Sequence, residues 1–337
     1  VVVATSYSSI AENASRVFVL LQDGLGNLLE PINYSVGLEP TFSQLLSIAV
    51  ADMNNDGMGD VVTSYENGVG VMLQNTQGTL DPIAIYALDP AGNSATYKVV
   101  AADFNGDELN DIAAIDSAGA QPSVVSIFLQ NNNATVNPPV SYSVPDGGIG
   151  ELSYGDLNND GLTDIVVTNG AGITNSLYSL LQQTEITFGM VVAYNLDNNL
   201  SSAVAVEVGD VNGDSLDDVV VAYHDHSSLF RFAVFYQNTG GTLDSPINLK
   251  SFHFADSVDI ADISGDGRKD IILGHSGNSV VTVYLQNSDG TLMREQRYPF
   301  AFTHTNPNSM AIGDINGDGQ NDIVEADGGG ITILYHQ

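Results

Sequence analysis

Six Asp-rich nonapeptides, repeated at steps of 51 to 54 residues, constrain this chain more than any other feature. They read DMNNDGMGD, DFNGDELND, DLNNDGLTD, DVNGDSLDD, DISGDGRKD and DINGDGQND, and they begin at Asp52, Asp103, Asp156, Asp210, Asp262 and Asp314. A fixed period of this length indicates a repeat architecture, in which each copy is one supersecondary unit. The repeat therefore predicts several copies of one small structure.

The residues around each nonapeptide predict β-strands. A short alternating apolar run precedes each copy, and a β-branched run such as Val219–Val221 follows it. A second apolar run ends in glutamine, and a third often opens at proline, as at Pro82. Short Val/Ile-rich runs bounded by Gly, Asn and Asp are typical of strands, and helical periodicity is not sustained. Four strands per period describe the blade of a β-propeller, with the nonapeptide joining its first and second strands.

The fold predicted is all-β, a β-propeller of seven blades with four antiparallel strands each. The glutamine that ends the third strand occurs seven times, at Gln22, Gln74, Gln130, Gln182, Gln237, Gln286 and Gln337. Residues 1–337 are interpreted as a single domain with a partial first blade over 1–45 and repeats starting near 46, 97, 150, 203, 256 and 308. A six-bladed ring with extra strands is the alternative.

The two ends of the chain give incomplete blades in this interpretation. Val1–Ala4 matches a second strand, and the chain ends after a third strand. An unpaired sheet edge can accept a further strand. Three explanations for the incomplete blades stay open. Residues precede Val1, the two ends pair with each other, or a neighbouring subunit donates a strand.

The pattern D-x-[NS]-x-D-x-x-x-D has the chemistry of a calcium loop. Side-chain oxygens at positions 1, 3 and 5, the position-7 carbonyl and the position-9 carboxylate form an oxygen-only donor set, which favours Ca²⁺ over Mg²⁺. Zinc and copper would need nitrogen or sulfur ligands. The candidate ligands for up to six Ca²⁺ ions are Asp52, Asn54, Asp56, Met58, Asp60, Asp103, Asn105, Asp107, Leu109, Asp111, Asp156, Asn158, Asp160, Leu162, Asp164, Asp210, Asn212, Asp214, Leu216, Asp218, Asp262, Ser264, Asp266, Arg268, Asp270, Asp314, Asn316, Asp318, Gln320 and Asp322.

The six loops are not equivalent. Position 6 is glycine in four of them, which permits a sharp turn, but Glu108 and Ser215 replace it in the second and fourth loops. Ser264 is a shorter ligand at position 3 of the fifth loop. We therefore expect unequal sites, and folding coupled to calcium binding because three carboxylates per loop repel each other.

Composition excludes several classes of function. The formal net charge is −33, with 8 Lys+Arg against 41 Asp+Glu, which argues against nucleic acid and anionic membranes as partners. No apolar stretch is long enough to span a bilayer as a helix. Cysteine is absent, which excludes a thiol nucleophile.

Catalytic signals are weak. No G-x-S-x-G elbow or phosphate loop is present. His224-Asp225-His226 places two imidazoles on one face of a strand, although an exposed polar loop is the favoured interpretation. The other histidines, His253, His275, His304 and His336, have no evident partner. We predict no catalytic residues and no enzyme activity.

The loops DLNNDGLTD and DINGDGQND, with the Ile-Val runs that follow them, resemble the FG-GAP/VCBS repeats of integrin-α-like β-propellers. The resemblance covers essentially the whole chain. It implies Ca²⁺ in the loops between first and second strands, and a secreted or cell-surface protein that serves in adhesion or ligand binding. The Phe-Gly and Gly-Ala-Pro phrases of integrins are poorly kept, and Gly274-His275-Ser276 is the nearest remnant.

The sequence thus leads to an extracellular, calcium-stabilised, non-catalytic module that binds a protein or glycan ligand at the cell surface. The alternative is a structural subunit of a filament or surface layer, a homo-oligomer assembled by strand exchange. A polysaccharide-active enzyme ranks behind both, because a lyase site for uronates needs cations that this chain rarely offers.

Overall fold

The computed structural model describes residues 2–5, 15–23, 25–36, 45–65, 67–88, 96–116, 123–131, 133–145, 150–169, 177–184, 187–196, 202–224, 230–300, 309–327 and 330–336. Strands dominate these ranges. The single helix among them is a 3₁₀ turn, Ser276–Asn278. None of the helical structure described has the length and apolar character needed to cross a bilayer.

The strands are short, as expected for runs punctuated by turn residues. In chain order they are β1 Val2–Thr5, β2 Ser15–Val19, β3 Ile32–Val36, β4 Ile48–Ala51, β5 Asp60–Tyr65, β6 Gly68–Met72, β7 Ala84–Ala87, β8 Thr96–Ala102, β9 Asp111–Asp116, β10 Ser123–Phe128, β11 Gln130–Asn131, β12 Thr135–Val136, β13 Val140–Val144, β14 Leu152–Gly155, β15 Asp164–Thr168, β16 Leu177–Thr184, β17 Thr187–Tyr194, β18 Ser202–Gly209, β19 Asp218–His224, β20 Phe230–Phe235, β21 Gln237–Asn238, β22 Thr242–Leu243, β23 Ile247–Lys250, β24 Ser257–Ala261, β25 Asp270–His275, β26 Val280–Tyr284, β27 Gln296–Pro299, β28 Ser309–Gly313, β29 Asp322–Asp327 and β30 Gly330–Leu334.

Most of these strands form antiparallel meanders. Five sheets have four strands, ordered β4-β5-β6-β7, β8-β9-β10-β13, β14-β15-β16-β17, β18-β19-β20-β23 and β24-β25-β26-β27. The sheets β1-β2-β3 and β28-β29-β30 have three strands, and β11-β12 and β21-β22 are small two-stranded ladders.

The prediction of seven four-stranded blades is wrong. Six sheets are built around an Asp-rich loop and count as blades of the repeat, and the last of these has three strands in the part of the chain that the structure describes. The sheet over Val2–Val36 has no first strand and no Asp-rich loop among its described residues. The alternative of six blades with extra strands therefore describes the chain better. The number of glutamines overestimated the number of blades, because each glutamine marks a third strand and an incomplete sheet also has one.

The chain divides into two compact units. One contains Val1–Leu21, Leu28–Leu152 and Gln182–Val191, and the other contains Gln22–Asn27, Ser153–Leu181 and Val192–Gln337. The interpretation of residues 1–337 as a single domain stays a prediction.

In each unit the core lies between neighbouring sheets. In the first unit, Val62 of β5 and Val99 of β8 belong to one buried cluster. In the second unit, Val220 of β19 and Ile271 of β25 share another. Alternate side chains of the second strand β19 belong to two different buried clusters, so both faces of the strand are covered by packing. Every residue of β9 and β25 is likewise buried. This double burial explains the continuous β-branched runs that follow the nonapeptides.

Candidate metal sites in the Asp-rich loops

Each Asp-rich loop connects the first and second strands of a blade. The residue before position 1 pairs with the Asp at position 9, as in Ala51↔Asp60 and Gly209↔Asp218. The hairpin register therefore fixes where the loop begins and ends. The residue at position 2 anchors the loop in the core: Met53 is 2% exposed and Phe104 is fully buried. Position 2 is apolar in all six copies, a signal that the sequence analysis did not use.

The carboxylate at position 1 organises the backbone of the loop. In the first loop, Asp52 Oδ1 accepts the amide of Asp56 at 3.1 Å, and Asp52 Oδ2 accepts the amide of Gly57 at 2.7 Å. Burial alone would raise the pKa of Asp52, but these backbone hydrogen bonds outweigh it and lower the pKa from its usual value. Position 1 therefore arranges the backbone of the loop.

Positions 3 and 5 meet at the exposed side of the loop. In the second loop, Asn105 Oδ1 accepts the amide of Asp107 at 2.9 Å, and Asn105 Nδ2 donates to Asp107 Oδ2 at 3.1 Å. The fourth and sixth loops repeat this pair of contacts. In the third loop, the Oδ1 atom of Asn158 is buried and has no hydrogen-bond partner among the described residues.

The carboxylate at position 9 joins the loop to the end of the third strand. Asp60 is fully buried; its Oδ2 accepts the amide of Met53 at 2.7 Å and its Oδ1 accepts the amide of Gln74 at 2.6 Å. Four other third-strand ends donate in the same way, from Gln130, Gln237, Gln286 and His336. The repeated glutamine thus marks the residue whose backbone closes this bond in four blades, and in the last blade His336 takes its place.

Burial leaves the position-9 carboxylates short of compensating positive charge. Burial is the largest effect, and the carboxylates at positions 1 and 5 of the same loops act in the same direction. Together they raise the pKa of Asp111 and of Asp218 to about 7, against the lowering effect of their two amide donors. The positive charge of a divalent cation beside such a loop would stabilise the ionised carboxylates and offset the repulsion among them.

The donor chemistry of the loops fits calcium. Within the described ranges, no group of three or more His, Cys, Asp or Glu side chains is placed to hold a metal ion. The loop gathers the oxygens of positions 1, 3 and 5, and these are the residues that would hold Ca²⁺. The unpartnered oxygen of Asn158 is a donor of the required kind. Ligation by positions 7 and 9 stays a prediction.

Two positions in every loop require a left-handed backbone. Position 6 has φ of 82° to 86° where it is glycine, and φ is 67° at Glu108 and 70° at Ser215. Position 4 is also left-handed, with φ of 60° at Asn55 and 59° at Asn159. Glycine at position 6 marks the first requirement in most copies, and the occurrence of only Asn and Gly at position 4 marks the second.

We expect Glu108→Gly to stabilise the protein by about 1 kcal/mol, because a non-glycine residue in the left-handed region costs about that much. The matched control is Gly57→Ala at the same position of the first loop. An added Cβ there meets nothing within 4 Å, so its loss of about 1 kcal/mol isolates the conformational term. Urea unfolding in EGTA measures both variants. Equal stabilities of Glu108→Gly and wild type would contradict strain at this position.

The side chain at position 8 of one loop forms a hydrogen bond with the loop of the neighbouring blade. In the first unit, Asn110 Nδ2 donates to Asp52 O at 3.0 Å. In the second unit, Asp217 Oδ2 accepts the amide of Asp156 at 3.0 Å, and Asn321 Nδ2 donates to Asp262 O at 2.9 Å. Each contact joins the last part of one loop to position 1 of the preceding loop. These links depend on how blades pack, so the sequence pattern gave no sign of them.

A glycine turn of the following blade completes this contact. Gly241 has φ of 72°, and a Cβ on it would lie 2.5 Å from Asn158 O in the preceding loop. Gly290 approaches Asn212 and Gly26 approaches Asn316 in the same way. The side chain of Gln237 adds a bond of 2.6 Å from Nε2 to Asp156 O. The turn after the third strand is thus glycine for both its backbone angle and its close approach.

His275 has partners that the sequence did not reveal. Its side chain is fully buried, with Nδ1 2.9 Å from Phe254 O and Nε2 2.8 Å from Thr282 Oγ1. Burial lowers its pKa to about 4. The residue ties the connection before β24 to β26, which is a structural role. Of the His-x-His candidate, Asp225 and His226 lie outside the described residues.

Glu325 of β29 is a buried carboxyl that the sequence analysis did not single out. It is 3% exposed, and its Oε1 lies 2.7 Å from the place that a Cβ on Gly274 would take. Burial, with a smaller effect from the charge of Asp256, raises its pKa to about 8. The folded protein therefore holds this proton more tightly than the unfolded chain does.

The stability contributed by protonated Glu325 is complete below the unfolded pKa of about 4.5 and is lost as pH rises toward 8. We expect the free energy of unfolding of the wild type to fall more steeply with pH than that of Glu325→Gln between pH 5 and 8. The difference in slope is at most about 1.4 kcal/mol per pH unit. Chemical denaturation at four pH values in constant calcium tests it. Parallel profiles would show that Glu325 does not titrate in this range.

Solved structures place this architecture among the β-propellers. The chain is similar to the Dos1 propeller, with a TM-score of 0.54 and 11% identity over 95% of this chain and 73% of that one. It is also similar to a periplasmic gluconolactonase of Pseudomonas aeruginosa, with a TM-score of 0.62 and 11% identity over 97% and 82% of the two chains. At these identities the likeness establishes the fold alone.

The family follows from the loops. A family profile described as FG-GAP-like repeat matches residues 52–114, 103–167, 210–273 and 262–325. These segments cover more than half of the chain, and the chain belongs to the FG-GAP-like repeat family.

Curated relatives agree with this assignment. The chain is 26% identical over 210 residues to a T-cell immunomodulatory protein homolog of Plasmodium yoelii yoelii, covering 53% of this chain and 29% of the relative. It is 27% identical over 168 residues to cartilage acidic protein 1 of Xenopus tropicalis, covering 48% of this chain and 26% of that protein. The chain thus spans less than a third of the length of either relative.

Proposed function

We propose that this protein is an extracellular β-propeller module that is stabilised by up to six Ca²⁺ ions and binds a protein or glycan ligand without catalysis. The observation that supports it best is the Asp-rich loop, repeated six times with oxygen donors only. The position-1 carboxylate pre-forms each loop, and Asn158 offers an unpartnered buried oxygen. The printed names of the curated relatives describe immunomodulatory and cartilage proteins rather than enzymes.

Calcium would act on structure in this proposal. Position 1 of a loop is bonded to the following blade, as in Asn110 to Asp52 and Asn321 to Asp262. An ion that fixes one loop therefore also fixes the edge of its neighbour. The module becomes a rigid support for the connections at the other ends of the strands, where ligand-binding loops are usually variable.

One such connection has a surface suited to a ligand. Residues 251–256, which lead from β23 to β24, lie at the opposite end of β24 from Asp262. The guanidinium of Arg297 lies 4.0 Å from the ring centroid of Phe252, and His253 stacks on Phe230 at 4.1 Å. Half-buried aromatic rings beside a cation are typical of binding surfaces.

A screen of immobilised glycans and cell-surface proteins, run in calcium and in EGTA, tests the binding role. We expect a ligand that is captured in calcium and released in EGTA, and weaker capture by Phe252→Ala. Turnover on a polysaccharide panel, with no calcium-dependent capture, would replace the proposal with an enzyme.

A structural subunit of a filament is the second candidate. Within the described residues, β30 pairs with β29 only and β1 pairs with β2 only. An open edge accepts a strand from another copy. Size-exclusion chromatography and electron microscopy with and without calcium decide between a monomer and a polymer.

A further inference from the structure

The fifth Asp-rich loop differs from the other five in charge. Its sequence, DISGDGRKD, contains Arg268 and Lys269, and no other nonapeptide contains a lysine or arginine. Its three aspartates and two cations leave a net charge of −1, whereas the other loops carry −3 or −4. Only 8 Lys+Arg occur in the whole chain, so two in one loop is a marked concentration.

Arg268 places one of these charges on a candidate calcium ligand. Its guanidinium Nη2 forms an ion pair with Oδ2 of Asp266, the carboxylate at position 5. Its Nε donates to Gln286 O at 3.1 Å, at the end of the third strand of the same blade. Both side chains of the ion pair are 34% exposed, so water screens the pair only in part. Two anchor points hold the guanidinium over the loop.

In other loops the position-5 carboxylate has a different partner. Asp107, Asp214 and Asp318 accept a hydrogen bond at Oδ2 from the asparagine at position 3, which is a neutral donor. No ion pair recorded for the described residues involves the position-5 carboxylate of any loop except the fifth. A divalent ion entering the fifth loop must therefore displace a cation that is already bound, whereas in the other loops it meets none.

Lys269, at position 8 of the fifth loop, is the second positive charge. A Cβ on Gly209 would lie 3.4 Å from Lys269 Nζ, so the ammonium lies beside the residue that precedes Asp210 of the fourth loop. Lys269 and Asp210 also line one cavity of about 580 Å³. The fifth loop thus supplies positive charge to itself and to the neighbouring loop.

We infer that Arg268 is a built-in cation that takes the place of Ca²⁺ at the position-5 carboxylate of the fifth loop. This loop then binds calcium more weakly than the loops that lack a basic residue, and it remains folded when calcium is removed. The inference rests on the proposed calcium role of the loops and names one loop that departs from it.

The decisive variant is Arg268→Gln, because the sixth loop has glutamine, Gln320, at the same position. The matched control is Arg294→Gln, which removes the same charge from an exposed residue outside every loop. Calcium alone is titrated into the metal-free protein by isothermal titration calorimetry. Melting temperatures are recorded in EGTA and in calcium.

We expect Arg268→Gln to bind one more Ca²⁺ than Arg294→Gln, or to bind its weakest Ca²⁺ at least about tenfold more tightly. In EGTA it should melt at a lower temperature than the control, and in calcium the two should melt together. The converse change, Gln320→Arg, should weaken one site by a similar factor.

Two different failures are distinguishable. If the wild type binds calcium and Arg268→Gln matches its control in stoichiometry and affinity, the inference is wrong while the calcium role stands. If neither protein binds calcium, the calcium role itself is wrong. Should Arg268→Gln not fold, an unchanged calcium affinity of Gln320→Arg would overturn the inference independently.

Discussion

Removing calcium with EGTA should lower the melting temperature of this protein by at least about 10 °C. A site whose free ligand stands a hundredfold above its dissociation constant stabilises the folded state by about 2.7 kcal/mol. Because the entropy of unfolding is about 2.1 cal/mol/K per residue, each kcal/mol shifts the melting temperature of a 337-residue chain by about 1.4 °C. Three or more occupied loops therefore suffice, and the repulsion among their carboxylates adds to the effect.

Differential scanning calorimetry in calcium, in EGTA and after re-addition of calcium measures this shift. Magnesium is the control, because its stricter octahedral geometry and its retained waters suit a carboxylate loop of this kind less well. We expect calcium to restore the melting temperature and magnesium to restore little of it. A melt that is identical in calcium and in EGTA would show that the loops fold without metal and would remove the calcium role.

Asp60→Ala should destabilise the protein by at least about 3 kcal/mol even in EGTA. Asp60 is fully buried and accepts the amides of Met53 and Gln74, so alanine leaves two buried donors unsatisfied. An unsatisfied buried donor costs about 1–3 kcal/mol. Urea unfolding in EGTA isolates this cost from any loss of metal binding.

The matched control lies in the same loop. Asp56 at position 5 is exposed, and its side chain accepts only the nearby amide of Met58, at 2.9 Å. We expect Asp56→Ala to change stability by less than about 1 kcal/mol in EGTA and to lose much of the stabilisation that calcium gives the wild type. If both variants lose equally in EGTA, position 9 has no special structural role. If Asp60→Ala is harmless there, its buried bonds contribute little.

The two variants together separate two roles that one sequence motif combines. The nonapeptide shows three aspartates at fixed spacing, and we predicted that all three hold a metal. In the structure, position 1 arranges the loop backbone and position 9 joins the loop to the third strand. Position 5 is the carboxylate that stays at the surface of the loop. Spacing alone could not separate these roles, because the direction of a side chain depends on the sheet that receives it.

The blade count shows a different limit. The repeat correctly identified an all-β propeller and located every Asp-rich loop on a hairpin. It also led to seven four-stranded blades, which the structure does not contain. Strand pairing decides how many strands a sheet holds, and pairing depends on segments far apart in the chain. A periodic pattern counts similar segments without saying which of them pair.

The sequence by itself determined the local properties of this protein: a strand period, a turn at each nonapeptide, the need for left-handed residues, and an oxygen-only donor set. These follow from residue chemistry within about ten positions. Only the tertiary structure decided that Asn110 holds the loop at Asp52, that Arg268 pairs with Asp266 beside Gln286, and that Glu325 is buried near Asp256. Contacts between blades and the loss of water around a charge arise when distant segments pack, and no local pattern records them.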